Sequence, residues 1–197
     1  MKRAVLAPLG LPILCLLAAC SQPPAAQPSS TPSVEAHASP AASDGPFAVC
    51  GPVSAAGWCK VAFGQSPDDA EQAAAVPLVR QIGDGPHDPE ACTVMTTAEG
   101  PQTLIFLVES NKVGSLVLHV AGPRTAEGIG VGSTEAELMA AYGPRATSAP
   151  NKYESETVKD VSVPDGPGKL IFEVEAGKVR TIKAGLPPTV DYVEGCA

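Results

Sequence analysis

Six cysteines carry most of the reactive chemistry this chain offers: Cys15, Cys20, Cys50, Cys59, Cys92 and Cys196. No two of them form a Cys-x-x-Cys pair, so neither thiol–disulfide catalysis nor a four-thiolate zinc site fits their spacing. The three histidines, His37, His87 and His119, are scattered and lack paired metal-ligand spacing. Gly128-x-Gly130-x-Gly132 falls short of the dinucleotide fingerprint, and no Gly-Lys-Ser/Thr is present to make a Walker loop. A glycine-held turn before a helix accounts for it. Gly64-Gln65-Ser66-Pro67-Asp68 lacks the second glycine of a nucleophile elbow, and Ser66 reads better as a helix cap. The turn Asp84-Gly85-Pro86-His87-Asp88-Pro89-Glu90 offers the oxygens calcium prefers but not the EF-hand order, so it reads as a solvated turn. Trp58, beside Cys59, reads as core packing next to a disulfide, with a partner-facing anchor as its other use. These residues nominate no catalytic set, no cofactor site and no metal site.

The N-terminus is more specific. Lys2 and Arg3 precede a charge-free run, residues 4–19, broken by Pro8, Gly10 and Pro12, which is the layout of a signal peptide. The run is short for a membrane span, which needs about 20 apolar residues. It closes on Leu17-Ala18-Ala19-Cys20, which resembles the lipobox of bacterial lipoproteins. That resemblance implies that residues 1–19 are removed and that Cys20 receives a diacylglyceryl group as the first residue of the mature chain. The protein is then expected on the extracytoplasmic face of a bacterial membrane, held there by the lipid on Cys20. Residues 20–45 contain five prolines, many Ala, Ser and Thr, and only two charges, Glu35 and Asp44. Such a segment buries too little to offset its ordering entropy, and is expected to act as a tether.

Export also changes the cysteine arithmetic. With Cys15 removed and Cys20 lipidated, Cys50, Cys59, Cys92 and Cys196 form an even set in an oxidising compartment, and two disulfides are expected. Three pairings are compatible with the sequence. Cys50 with Cys59 is locally easy through Pro52, Ser54 and Gly57, and would leave Cys92 to fasten Cys196 near the C-terminus. Loss of Lys2 and Arg3 takes the formal net charge from −8 to −10. Nucleic acid and anionic headgroups are therefore poor partners, and membrane contact is expected only through the lipid.

Residues 46–197 must hold the folded part, and an internal repeat shapes it. Leu104-Ile105-Phe106-Leu107-Val108-Glu109-Ser110-Asn111-Lys112-Val113 aligns without gaps with residues 170–179, and seven of ten positions are identical. Each copy predicts a strand, a tight turn and a return strand over 113–121 or 179–184. Val179 and Ile182 break strict alternation, which predicts a bulge or a change of face. Upstream, Thr134-Glu135-Ala136-Glu137 is a capping box, with Leu138, Ala141 and Tyr142 making one apolar stripe before Gly143-Pro144. Ser66-Pro67-Asp68-Asp69 offers a similar helix start before Ala70, Ala73 and Ala74. A further strand is expected over 152–163, with Pro164-Asp165-Gly166-Pro167 as its turn. The fold class is thus α+β: tandem modules of helix plus antiparallel sheet, residues 46–124 and 125–197, with short helices packed on one sheet face.

The stretch from Thr125 to Gly143, with its Gly132-Ser133-Thr134 opening and its Tyr142-Gly143 close, and the ending Tyr192-Val193-Glu194-Gly195-Cys196 resemble poorly characterised secreted bacterial proteins and lipoproteins. The helix opening is also similar to that of BamE-like and beta-lactamase-inhibitor-like modules. Those folds serve as binding or assembly modules, so the resemblance implies an envelope lipoprotein that engages a protein or cell-wall component. Two other classes compete with it. An envelope hydrolase or small-molecule binder would need Asp88, Glu90 and His119 to converge, and a purely structural envelope component would need no ligand at all.

Overall fold

The computed structural model describes residues 47–81, 91–98 and 103–196. The expected signal peptide, Cys20, the tether and the acidic turn at 84–90 lie outside them. Ten strands and two short helices follow one another in the order β1 (Gly57–Trp58), β2 (Val61–Ala62), α1 (Pro67–Ala73), β3 (Leu78–Gln81), β4 (Cys92–Thr97), β5 (Leu104–Glu109), β6 (Lys112–Leu118), α2 (Glu135–Tyr142), β7 (Thr147–Pro150), β8 (Val158–Asp165), β9 (Gly168–Glu175) and β10 (Lys178–Gly185). Eight of the strands form one antiparallel sheet in the order β3-β4-β5-β6-β10-β9-β8-β7. A helix followed by a four-stranded meander therefore occurs twice, and the last strands of the two meanders pair over Leu118↔Ile182 to Ser115↔Gly185. The result is an antiparallel α+β fold built around a single continuous sheet.

Both hairpins turn where the sequence pattern places them, for a local reason. Ser110 and Asn111 in one turn, and Ala176 and Gly177 in the other, all have positive φ, the backbone of the two-residue turn whose twist matches its flanking strands. Each hairpin also carries a bulge at the same point, between Leu107 and Val108 opposite Gly114, and between Val179 and Thr181 at Arg180. The bulge explains the broken alternation in β10. One extra residue lets Val179 and Ile182 face the same side.

The expectation for β8 needs correction at both ends. The strand begins at Val158 rather than at 152, and Asn151 Oδ1 instead accepts the backbone N–H groups of Tyr153 and Glu154, curling that segment into a loop. Pro164 and Asp165 belong to the strand, opposite Lys169 and Gly168, so the turn is only Gly166-Pro167. The first return strand likewise ends at Leu118 and not at 121. Strands β3, β4 and β7, for which the sequence pattern makes no case, complete the sheet.

The main apolar cluster lies on one sheet face. Phe106, Leu116, Phe172 and Ile182 point there, and both helices cover them with Ala70, Leu138 and Tyr142 in the same apolar cluster. Tyr142 stacks near Phe172, with ring centroids 5.5 Å apart. Trp58 is buried there as well, against Phe47, with its indole N–H donating to the Gly51 carbonyl. The loop before each helix is tied to the nearby hairpin in matching fashion. Gly64 N–H donates to the Val113 carbonyl and Gly132 N–H to that of Val179.

Helix α2 starts on the expected capping box. The Thr134 hydroxyl accepts the Glu137 N–H, and the Glu137 carboxylate accepts the Thr134 N–H at 2.7 Å. Thr134→Ala removes one half of that exchange and is expected to cost about 1 kcal/mol of stability. Urea unfolding of the variant checks the value. No change in midpoint would show that the helix is positioned by Leu138 and Tyr142 alone.

Candidate functional site

The opposite sheet face carries a covering segment and a mixed apolar and polar cavity. Residues 186–196 leave β10 and cross this face as a strap. Leu186 N–H donates to the Gly114 carbonyl, Thr189 settles over Gly114, and the Tyr192 hydroxyl donates to Glu109 at 2.7 Å. Gly114 matters here because a Cβ in its place would lie 2.2 Å from Thr189 Oγ1. The strap ends on the Cys92–Cys196 disulfide, which spans a sequence separation of 104. Cys50 pairs with Cys59 at a separation of nine. Of the three pairings the sequence left open, the structure contains this one.

Between strap and sheet lies a cavity of about 470 Å³. Its two halves differ in chemistry. Val94, Ile105, Leu107 and Val117 from β4, β5 and β6 meet Val190 and Val193 of the strap on the apolar side. Glu173, Arg180, Lys183, His119, Tyr153 and Glu154 make the polar side.

The polar side is a closed set of pairs. Glu173 and Lys183 are both buried, with Lys183 Nζ 2.9 Å from Glu173 Oε1. Arg180 reaches the other Glu173 oxygen at 3.3 Å, Glu154 at 2.5 Å and Glu175 at 3.5 Å. Burial by itself would raise the Glu173 pKa. The hydrogen bond and charge of Lys183, with Thr181 and Arg180, outweigh that and hold it below the ordinary carboxylate value. His119 sits just past β6, with Nδ1 3.3 Å from the Thr181 hydroxyl. Desolvation lowers its pKa despite the opposing pull of Glu173, with Lys183 and Arg180 adding to the lowering. The Tyr153 hydroxyl donates to Glu194 at 2.6 Å.

One group in the cavity lining has no such partner. Among the described residues, two buried side-chain polar atoms lack a hydrogen bond, Gln65 Nε2 and Ser115 Oγ, and of these only Ser115 lines the cavity. The arrangement can therefore solvate an apolar body and offer one hydroxyl without a partner, beside a buried Glu173–Lys183 pair whose charges offset each other.

Of the residues singled out from sequence, the structure brings His119 and Cys196 to this cavity. Ser66 stands at the start of α1, where its hydroxyl accepts the Asp69 N–H. Gly128 and Gly132 take positive φ in the turn before α2, and the Ser133 hydroxyl accepts the Gly130 N–H there. Asp88 and Glu90 lie outside the described residues. Among the described residues no cluster of three His, Cys, Asp or Glu is arranged to hold a metal.

Glu173, Lys183 and Ser115 belong to no motif in the sequence, although the repeat contains the signal for the first two. At the 66-residue offset, Glu173 corresponds to Leu107 and Lys183 to Val117. The copies thus differ by an apolar pair in one and an ion pair in the other, and the shared sheet sets them side by side, Val117 directly opposite Lys183. Compared with protein-family models, with curated proteins and with solved structures, the chain finds no significant match in any of the three.

Proposed function

We propose that this chain is a lipid-anchored envelope protein whose folded part is a binding or accessory module for a protein or cell-wall component. The observation that carries the reading is the strapped sheet face. It is a broad surface with a mixed apolar and polar cavity, and its titratable groups are spent on one another rather than set against a nucleophile. Such a lining binds more readily than it transforms. The two helix-plus-meander units read as tandem modules, residues 46–124 and 125–197, supported by the matching bulges and the matching loop-to-hairpin bonds. Joining two such units edge to edge doubles the width of the recognition face. The Leu17-Ala18-Ala19-Cys20 run places the anchor, and the Pro-rich segment 20–45 supplies reach. Among the described residues no helix is long and apolar enough to cross a membrane.

Crosslinking and affinity recovery from the native envelope, with the wild-type chain beside Cys20→Ala, test this. The wild type is expected in the membrane fraction with one stoichiometric partner, and Cys20→Ala is expected to be released or left unprocessed. Equal membrane retention of both chains with residues 1–19 removed from both would remove the lipid anchor. Recovery of no stoichiometric protein or wall fragment by the anchored chain would remove the binding role.

A further inference from the structure

We propose that the cavity under the strap is a binding site for a small uncharged amphiphile, with an apolar tail on the β4–β6 side and a hydroxyl or ester head at Ser115. The inference rests on the strapped face being the recognition surface, and it adds the class of ligand.

Size comes first. A cavity of about 470 Å³ is within the usual range of small-molecule sites, about 300–1,000 Å³. At roughly 30 Å³ for each water-sized group it accommodates about fifteen non-hydrogen atoms. The apolar wall has an extended shape. Leu107, Ile105 and Val94 lie on neighbouring strands, with Val94 paired to Leu107, and the strap covers them with Val190 and Val193. An alkyl chain of about eight carbons suits such a wall, because each buried methylene contributes about 0.8 kcal/mol and asks for no hydrogen bond.

Charge decides the head group. Every charged side chain in the lining is already engaged: Glu173 with Lys183 and Arg180, Arg180 also with Glu154, and Glu194 with the Tyr153 hydroxyl. His119 is held by Thr181. A charged head placed at Ser115 would compete for a member of the buried Glu173–Lys183 pair and leave the other charge uncompensated. An uncharged head avoids that cost.

Ser115 supplies the polar contact. It is 1% exposed and its Oγ has no hydrogen-bond partner, an arrangement that costs stability and is relieved by a ligand that both donates and accepts. Its position gives the head a defined place. Ser115 lies opposite Leu107 on β5 and opposite Gly185 on β10, at the boundary between the apolar wall and the ion pairs.

The test uses the released form of the chain carrying Cys20→Ala, so that no detergent competes for the cavity, and four probes: 1-monooctanoylglycerol, octanoate, octyltrimethylammonium and glycerol. Titration calorimetry together with methyl NMR shifts of Ile105, Leu107 and Val117 reads both affinity and location. Monooctanoylglycerol is expected to bind at least tenfold tighter than either charged probe, to shift those methyls, and to lose about tenfold in affinity in Ser115→Ala. Glycerol alone is expected not to bind. Equal or tighter binding of octanoate or octyltrimethylammonium would overturn the uncharged-head assignment. Binding without methyl shifts, or unchanged binding in Ser115→Ala, would overturn the site. If no probe binds while the anchored wild type still recovers a stoichiometric partner, the ligand assignment fails and the binding-module reading survives. The reverse pattern separates them the other way.

Discussion

Replacing Cys92 and Cys196 together by serine is expected to lower the free energy of unfolding by about 3–5 kcal/mol, more than the loss of Cys50 and Cys59. In the chain-entropy account a cross-link stabilises by restricting the unfolded chain, and the effect grows with the loop it closes. Cys92–Cys196 spans a separation of 104 residues and Cys50–Cys59 only nine, which corresponds to about 4–5 against about 2.5 kcal/mol. The consequence is also local. Cys196 holds the end of the strap, which is also tied by the Lys169–Asp191 ion pair and by the Tyr192–Glu109 and Tyr153–Glu194 hydrogen bonds. Amide exchange in residues 189–196 is therefore expected to accelerate strongly in the double variant, while β9, buried between β8 and β10, keeps its protection relative to the lowered global stability. Thermal unfolding under non-reducing conditions checks the first part, with a fall in Tm of about 10 °C expected. Equal losses from the two disulfides, or an unchanged exchange rate in the strap, would show that Cys92–Cys196 does not hold this face closed.

Glu173→Leu is the second change with a large expected effect. It leaves Lys183, itself buried, with no carboxylate among its ion pairs, and removing one member of a buried pair costs about 3–5 kcal/mol. Lys183→Val is milder, about 1.5–3 kcal/mol, because Glu173 retains Arg180. The double variant Glu173→Leu/Lys183→Val copies the Leu107/Val117 pair of the first hairpin into the second, and it is expected to recover most of the loss. Buried ion pairs are often replaced by apolar pairs at little cost because neither charge then has to be desolvated.

The acid limb of stability follows with a definite sign. Glu173 binds its proton less readily in the folded chain than at its ordinary pKa of 4.5. The stability it contributes is thus present above that value and is lost as pH falls through the lower native one. Urea unfolding between pH 7 and pH 3 is expected to show a smaller pH-dependent decline in the double variant than in wild type. A double variant no more stable than Glu173→Leu alone would mean that the ion pair holds the sheet in a way apolar contact does not replace.

How much of this was legible in the sequence depended on how far apart the partners are. The caps at Ser66 and Thr134 were readable because the bonds they make reach only three residues ahead. The two hairpins were readable because Ser110-Asn111 and Ala176-Gly177 suffice to reverse a chain. β7, Thr147–Pro150, was not, because all four of its residues are exposed and, among the described residues, it pairs with β8 alone. A strand exposed on both faces leaves no alternation to read. The limits of β8 were misplaced for a related reason, since the side chain of Asn151 bonds the backbone ahead of it and competes with the ladder.

By itself, then, the sequence determined the helix starts, the hairpins, the even set of cysteines beyond residue 45 and the expectation that Cys20 is an anchor. Only the tertiary structure decided that the two meanders share one sheet, that Cys92 meets Cys196, and that Leu107 and Val117 lie beside Glu173 and Lys183 in one wall of a single cavity. The physical reason is the same in each case. Caps and two-residue turns satisfy hydrogen bonds within a few residues, so their energetics are written in consecutive letters. A sheet face is assembled from every second residue of strands that lie far apart in the chain, and the environment of Ser115 exists only once β5, β10 and the strap have closed around it.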